Sequence, residues 1–137
     1  MRRSMATLAP TSKAAFIGLG NIGKVLAARV ANAPELTALS VFDLSPAPGQ
    51  ELEGSYAGKV TSAADVAAAA AGAEVILTCL PRSSNVKSVA DELISKKALA
   101  PGSVWIDCTS GDPTFASTIA AMLDEAGCTY VDAAVSG

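Results

Sequence analysis

The stretch "FIGLGNIGKVLAARV", residues 16–30, places three glycines within six positions, between an apolar run and an amphipathic one. That spacing suits a chain that leaves a strand in a tight turn and enters a helix at once. Gly18 permits the turn, Gly20 lets another group approach the backbone, and Gly23 lets the helix lie close on the sheet. The first N–H groups of such a helix have no partner within it and sit at the positive end of its dipole. A pyrophosphate is the group such an arrangement receives. The plainer reading is a strand-to-helix turn whose glycines serve packing alone.

Context separates the two readings. Short β-type runs alternate with longer helical ones from Ala14 onward, and the glycine segment joins the first of each kind. The strand runs are "AAFIG", "LSVFD", a short "GKV", "EVILTC", "SVWID" and "TYVDA". Their unbroken apolarity marks strands covered on both faces, as in a parallel sheet. Helical patterns span about 22–33, 63–71, 85–98 and 113–126. Thr61 and Ser62 are placed to cap the second of these, with Asp65 completing a capping box, while Pro113 opens the last and Gly127 closes it. The alternation predicts an α/β fold of three layers: a doubly wound parallel sheet, Rossmann-like, with strand order 3-2-1-4-5-6. Residues 1–13 read as a flexible tail and 14–137 as one dinucleotide-binding domain.

Asp43 follows the second strand, 20 positions beyond Gly23. An acid there hydrogen-bonds the ribose hydroxyls of an adenosine half; alternatively it forms a turn before "SPAPG". The joint pattern favours a dinucleotide. NAD is expected over NADP, because a carboxylate repels a 2′-phosphate and "LSPAPG" holds no Arg to neutralise it.

Composition narrows the class. With 137 residues, half of them hydrophobic and alanine the commonest, the chain builds a core of close helix-to-sheet contacts. A net charge of -3 with scattered basic residues argues against a nucleic-acid partner. Apolar runs such as "VILTCL" fall far short of the roughly 20 residues that cross a bilayer, so no membrane partner is expected. Cys79, Cys108 and Cys128 are odd in number, lack C-x-x-C spacing and have no His to join them, so no metal site is expected and a reduced, cytoplasmic setting fits. "MRRSMATLAPTSK" carries a faint likeness to a transit peptide, which keeps the mitochondrial matrix as the lesser alternative.

Two later segments lie at carboxyl ends of strands, where open α/β sheets bind ligands: "CLPRSSNVKSV", with Leu80, Pro81 and Asn85, and "DCTSGDP", with Thr109 and Ser110. On these segments and the glycine loop the chain resembles the β-hydroxyacid dehydrogenases, which include 3-hydroxyisobutyrate and 6-phosphogluconate dehydrogenases. The resemblance runs from Ala14 to Gly137. The loop Gly18, Leu19, Gly20, Asn21, Ile22, Gly23 is similar to the family's G-L-G-x-M-G, with Ile22 for Met. Leu80, Pro81 and Asn85 look like the L-P-x-x-x-N residues that line the cofactor. Ser110 stands at the Thr of D-x-S-T-I-x-P that touches the nicotinamide end, and Gly111 replaces Ile. "DAAVSG" resembles D-A-P-V-S-G-G, with Ala134 for Pro, which assigns Ser136 and Gly137 to the substrate.

The resemblance implies NAD as cofactor and a small 3-hydroxy acid of the 3-hydroxyisobutyrate type as substrate. It also implies that a downstream Lys, with an Asn, handles the proton and that an all-helical domain completes the pocket. Neither has a counterpart here, so the chain is expected to be a truncated product, inactive alone and open to self-association through the face that domain would cover. No catalytic residue is assigned: Arg82 and Lys87 read as solvated charges, Cys79 and Cys108 as small buried residues, and Lys96 and Lys97 as complements to a helix dipole. The alternatives are a stand-alone NAD(H)-binding module without chemistry and a fragment of a sugar-acid oxidoreductase like 6-phosphogluconate dehydrogenase.

Overall fold

Residues 12–135, the part that the computed structural model describes, alternate strictly between strand and helix. In chain order these are β1 (Ser12–Ile17), α1 (Asn21–Ala31), β2 (Leu36–Phe42), α2 (Pro46–Ser55), β3 (Val60–Ser62), α3 (Val66–Ala70), β4 (Val75–Thr78), α4 (Ser83–Ser95), β5 (Val104–Asp107), α5 (Pro113–Glu125) and β6 (Thr129–Asp132). The strands form one parallel sheet in the order β3-β2-β1-β4-β5-β6. The chain therefore starts in the middle of the sheet, winds outward through β3, then crosses β1 to β4 and winds the other way. The switch point between β1 and β4 is where such sheets bind ligands.

Alternation along β1 divides the core between two faces. Ala14 and Phe16 join Ala27 and Ala31 of α1 and Leu52 of α2, while Ala15 and Ile17 join Ala69 of α3, Val86 and Leu93 of α4, and Ile119 and Leu123 of α5. Each β1 position from Ala14 to Ile17 is thus buried by a helix layer on its own side, which is why the strand reads as continuously apolar. β6 differs: it is an edge strand, and Val131 is 42% exposed. Among the described residues no helix is long and apolar enough to cross a membrane.

Several boundaries depart from the sequence expectation, each for an identifiable reason. β1 starts at Ser12, two residues before Ala14, because Ser12 and Lys13 already pair with β2; the rest of the expected tail lies outside the described residues. Helix α2 has no counterpart in the expectation, which reads "SPAPG" as turn. Prolines at 46 and 48 fall in its first turn, where a missing N–H costs nothing. Gly49 lets the helix lie close on β3, since a Cβ there would stand 2.6 Å from Ser62 Oγ.

Thr61 and Ser62 do not cap α3, since they belong to β3 and pair with β2. Asp65 is itself the cap: its Oδ1 accepts from Ala68 N at 2.7 Å. Helix α4 starts two residues before Asn85 and stops at Ser95. Lys97 turns left-handed there (φ 52°) and the Ala98 N–H returns to the Leu93 carbonyl.

Candidate cofactor-binding site

The glycine loop divides its labour between space and backbone geometry. Gly18 has φ 102°, and a Cβ there would overlap the Cys79 carbonyl oxygen; one on Gly23 would overlap the Gly18 carbonyl oxygen. These two glycines let β1, α1 and the end of β4 lie against one another. At Gly20, by contrast, a Cβ would meet nothing within 4 Å. Gly20 is the N-cap of α1, which has no side-chain cap and no acid in its first turn. Lys24 N donates to Gly20 O, the bond that opens the helix, so the N–H groups of residues 21–23 are the first-turn donors that an α-helix leaves without a partner in its own ladder. An uncapped helix start, free of negative charge and with open space at its first residue, fits a pyrophosphate. The packing role and the anion role thus fall on different glycines.

Asp43, half-buried at the end of β2, accepts from Leu19 N (2.8 Å) through Oδ1 and from Ser45 N (3.0 Å) through Oδ2. The turn reading and the cofactor reading are compatible, because the carboxylate shapes the β2–α2 turn, braces the glycine loop and keeps lone pairs for a ribose hydroxyl. Leu19 does not line the opening: its side chain is 2% exposed within the core, and its N–H is committed to Asp43. Asn21 and Ile22 are exposed on the first turn of α1, Ile22 by 55%.

A cleft of ≈ 440 Å³ brings Gly18, Asp43, Leu80, Pro81 and Asn85 together with Phe42, Leu44, Val66, Ser88, Val89 and Glu92. Asn85, Ser88, Val89 and Glu92 form one face of α4 at i, i+3, i+4, i+7. Only Asn85 is assigned from sequence; the helical period would have supplied the other three once it was placed. Leu80 approaches the glycine loop closely, as a Cβ on Gly18 would stand 2.9 Å from its Cδ2.

Ser110 lies outside this cleft, in a neighbouring opening lined by Pro81, Arg82, Ser83, Ser84, Gly111, Asp112 and Phe115. Its Oγ donates to the Val135 carbonyl at 2.7 Å, fastening the segment that follows β6. Ser136 and Gly137 lie outside the described residues. Lys87 faces away from both openings and pairs with Asp91 at 3.0 Å.

Beneath the strand ends runs a polar network absent from the sequence reading. Asp107, 3% exposed, accepts from Thr78 Oγ1 (2.9 Å) and Thr109 N (3.0 Å) at Oδ1 and from Tyr130 OH (2.6 Å) at Oδ2; Trp105 Nε1 donates to Thr78 Oγ1 (3.0 Å). Burial, then the hydrogen bond to Asp107, pushes the Tyr130 phenol far above its ordinary range, so it remains a neutral donor. Cys79 and Cys108 are also raised, first by burial and then by neighbouring negative charge, and are held as thiols.

Asp112 caps α5, accepting from Thr114 N (2.9 Å) and Thr114 Oγ1 (2.8 Å), and these bonds lower its carboxyl below the ordinary aspartate range. A depressed folded-state value stabilises the fold above the unfolded aspartate range, and the contribution disappears as pH falls through the lowered value. Asp112→Ala is therefore expected to melt below the wild type at neutral pH, with the gap in Tm closing in acid. Melting curves from neutral pH down to strong acid check this, and a gap independent of pH would contradict it.

The profile of the NAD-binding domain of 6-phosphogluconate dehydrogenase matches residues 13–137. Among curated proteins, the chain is 36% identical over 126 residues to an NAD-dependent L-serine dehydrogenase of Pseudomonas aeruginosa, covering 90% of this chain and 40% of that protein. It is 33% identical over 138 residues to the mitochondrial 3-hydroxyisobutyrate dehydrogenase of Rattus norvegicus, covering 98% and 38% respectively. In three dimensions it superposes on the Mycobacterium tuberculosis 3-hydroxyisobutyrate dehydrogenase solved with L-serine, at TM-score 0.76 and 27% identity over 93% of this chain and 41% of that one. The chain thus spans about two-fifths of the length of these relatives. A Rossmann sheet with an open glycine loop at its switch point and a match along nearly the whole length together mean that the chain belongs to the family of the NAD-binding domain of 6-phosphogluconate dehydrogenase.

Proposed function

We propose that residues 14–137 form the cofactor half of a dehydrogenase that oxidises a small 3-hydroxy acid with NAD. The observation that carries the reading is the uncapped α1 start, open at Gly20, tied through the neighbouring Leu19 N–H to the Asp43 carboxylate at the end of β2. In this reading the N–H groups of α1 hold the pyrophosphate and Asp43 accepts from the adenosine ribose. Phe42, Leu80, Pro81 and Val89 shield the cleft from water, and Asn85 supplies a polar contact on α4. The dinucleotide, when bound, supplies the hydride acceptor. Ser110 and the segment it fastens stand toward the nicotinamide end, and Ser136 and Gly137 would meet the acid's carboxylate. Two relatives support the substrate class: one is named for L-serine and the other for 3-hydroxyisobutyrate, and both compounds are acids with a hydroxyl on C3.

Cofactor choice tests the reading at Asp43. Wild type is expected to bind NAD in clear preference to NADP, since the carboxylate would face the added phosphate. Asp43→Asn keeps an oxygen to accept from Leu19 N but removes the charge, so the preference should fall by about tenfold or more through weaker repulsion. Titration calorimetry with both cofactors on both proteins checks this. Equal affinity of the wild type for NAD and NADP would sink it.

A further inference from the structure

We infer that Thr109 is a positioning residue for cofactor binding, aiming the Leu80–Pro81 wall of the cleft through the bond that its Oγ1 accepts from Leu80 N at 3.0 Å. The inference rests on the reading of that cleft as the dinucleotide site.

The geometry of the two strand ends carries it. At the end of β4, Cys79 N still donates to Ile17 O of β1, and Cys108 N donates to Thr78 O. The next donor of β4, Leu80 N, turns toward β5 but meets no strand carbonyl there, because the chain beyond Asp107 has left the ladder. A side-chain hydroxyl takes the place of the missing ladder acceptor. Thr109 is held for that task from beneath: it is 3% exposed, and its own N–H is tied to Asp107 Oδ1. Asp107 is fixed in turn by Thr78 and Tyr130, and Thr78 by Trp105. The line from the buried carboxylate to Thr109 to Leu80 ends on a residue that touches the glycine loop and lines the cleft. Removing the hydroxyl leaves a partly buried N–H without its acceptor, and the wall beside the cofactor loses its fixed position.

The test compares Thr109→Val, which keeps shape and loses the acceptor, with Thr109→Ser, which keeps the acceptor and loses a methyl. NADH fluorescence titration is read beside Tm and beside amide hydrogen exchange at Leu80. The expected result is slow exchange of the Leu80 amide in the wild type, NADH binding weakened about tenfold in Thr109→Val, and recovery to near the wild-type affinity in Thr109→Ser whatever its Tm. A purely structural residue would instead lower Tm in both variants and leave affinity alone. Equal NADH affinity of Thr109→Val and wild type overturns the inference, as does a freely exchanging wild-type Leu80 amide. If Thr109→Val does not fold, Thr109→Ser decides: binding as in the wild type upholds the role of the hydroxyl, and weakened binding with the hydroxyl in place overturns it. Failure of the wild type to bind NADH overturns the cofactor reading and this inference with it, whereas normal wild-type binding with an indifferent Thr109→Val overturns this inference alone.

Discussion

Gly20→Val is expected to yield a folded protein that binds no measurable NADH. The added Cβ projects into open space, so neither the sheet nor α1 has to move, and the cost is that of a poor N-cap residue in place of a tolerated glycine, about 1 kcal/mol. The same side chain fills the volume that a pyrophosphate needs if it is to reach the N–H groups of residues 21–23. Gly23→Ala makes the contrast. Its Cβ runs into the Gly18 carbonyl, a backbone atom that cannot swing away, and overpacking of this kind typically costs about 1–3 kcal/mol. Circular dichroism, thermal melting and NADH titration on both variants separate the two effects: binding lost with only a small drop in Tm for Gly20→Val, and the larger drop in Tm for Gly23→Ala. A Gly20→Val protein that melts and binds like the wild type would reduce the glycines to packing devices.

The strand order and the layer arrangement were legible because they follow from period and alternation, and β1 shows how: four consecutive buried positions divide between two helix layers. Helix α2 was not legible, because Pro and Gly carry turn signals that hold only when their environment is unknown. Gly49 lies within the helix and against Ser62 of β3, a tertiary contact that no local pattern contains. Asp65 was legible as a capping residue but not in its position, since the β2–β3 pairing that removes Thr61 and Ser62 from the helix is non-local.

The candidate site divides along the same line. Glycine spacing and the interval to Asp43 are properties of one short segment, and the structure brings Gly18, Asp43, Leu80, Pro81 and Asn85 to one cleft. The Asp43 bond to Leu19 N crosses 24 positions, and the Asp107 network joins β4, β5 and β6; neither leaves a trace in local sequence. Side chains such as Thr109 and Tyr130 look like ordinary strand-end residues until their partners are in place.

The 137 residues by themselves are expected to bind NADH and to give no dehydrogenase turnover above background with 3-hydroxyisobutyrate, L-serine or sugar acids. Oxidation of an alcohol needs a group that takes the hydroxyl proton, best with a pKa near the working pH, and such a group contributes about a hundred- to ten-thousandfold. The sequence holds no His. Among the described residues at the strand ends, Tyr130 is raised out of range and already donates to Asp107, while Asp112 is lowered and committed to Thr114. Cys79 and Cys108 are raised by burial, and Lys87 is turned away onto Asp91. Each of these groups is therefore mistuned, occupied or misdirected, and Glu92 of the cleft is taken up by Lys96 at 2.9 Å. In this reading the proton acceptor comes from outside these residues. Following NADH formation at 340 nm for the chain alone, and again with the remaining three-fifths of a relative's length supplied as a separate polypeptide, measures both halves of the claim. Turnover by the chain alone would place the acid–base group within it, and loss of that turnover in Lys87→Ala would identify it as Lys87.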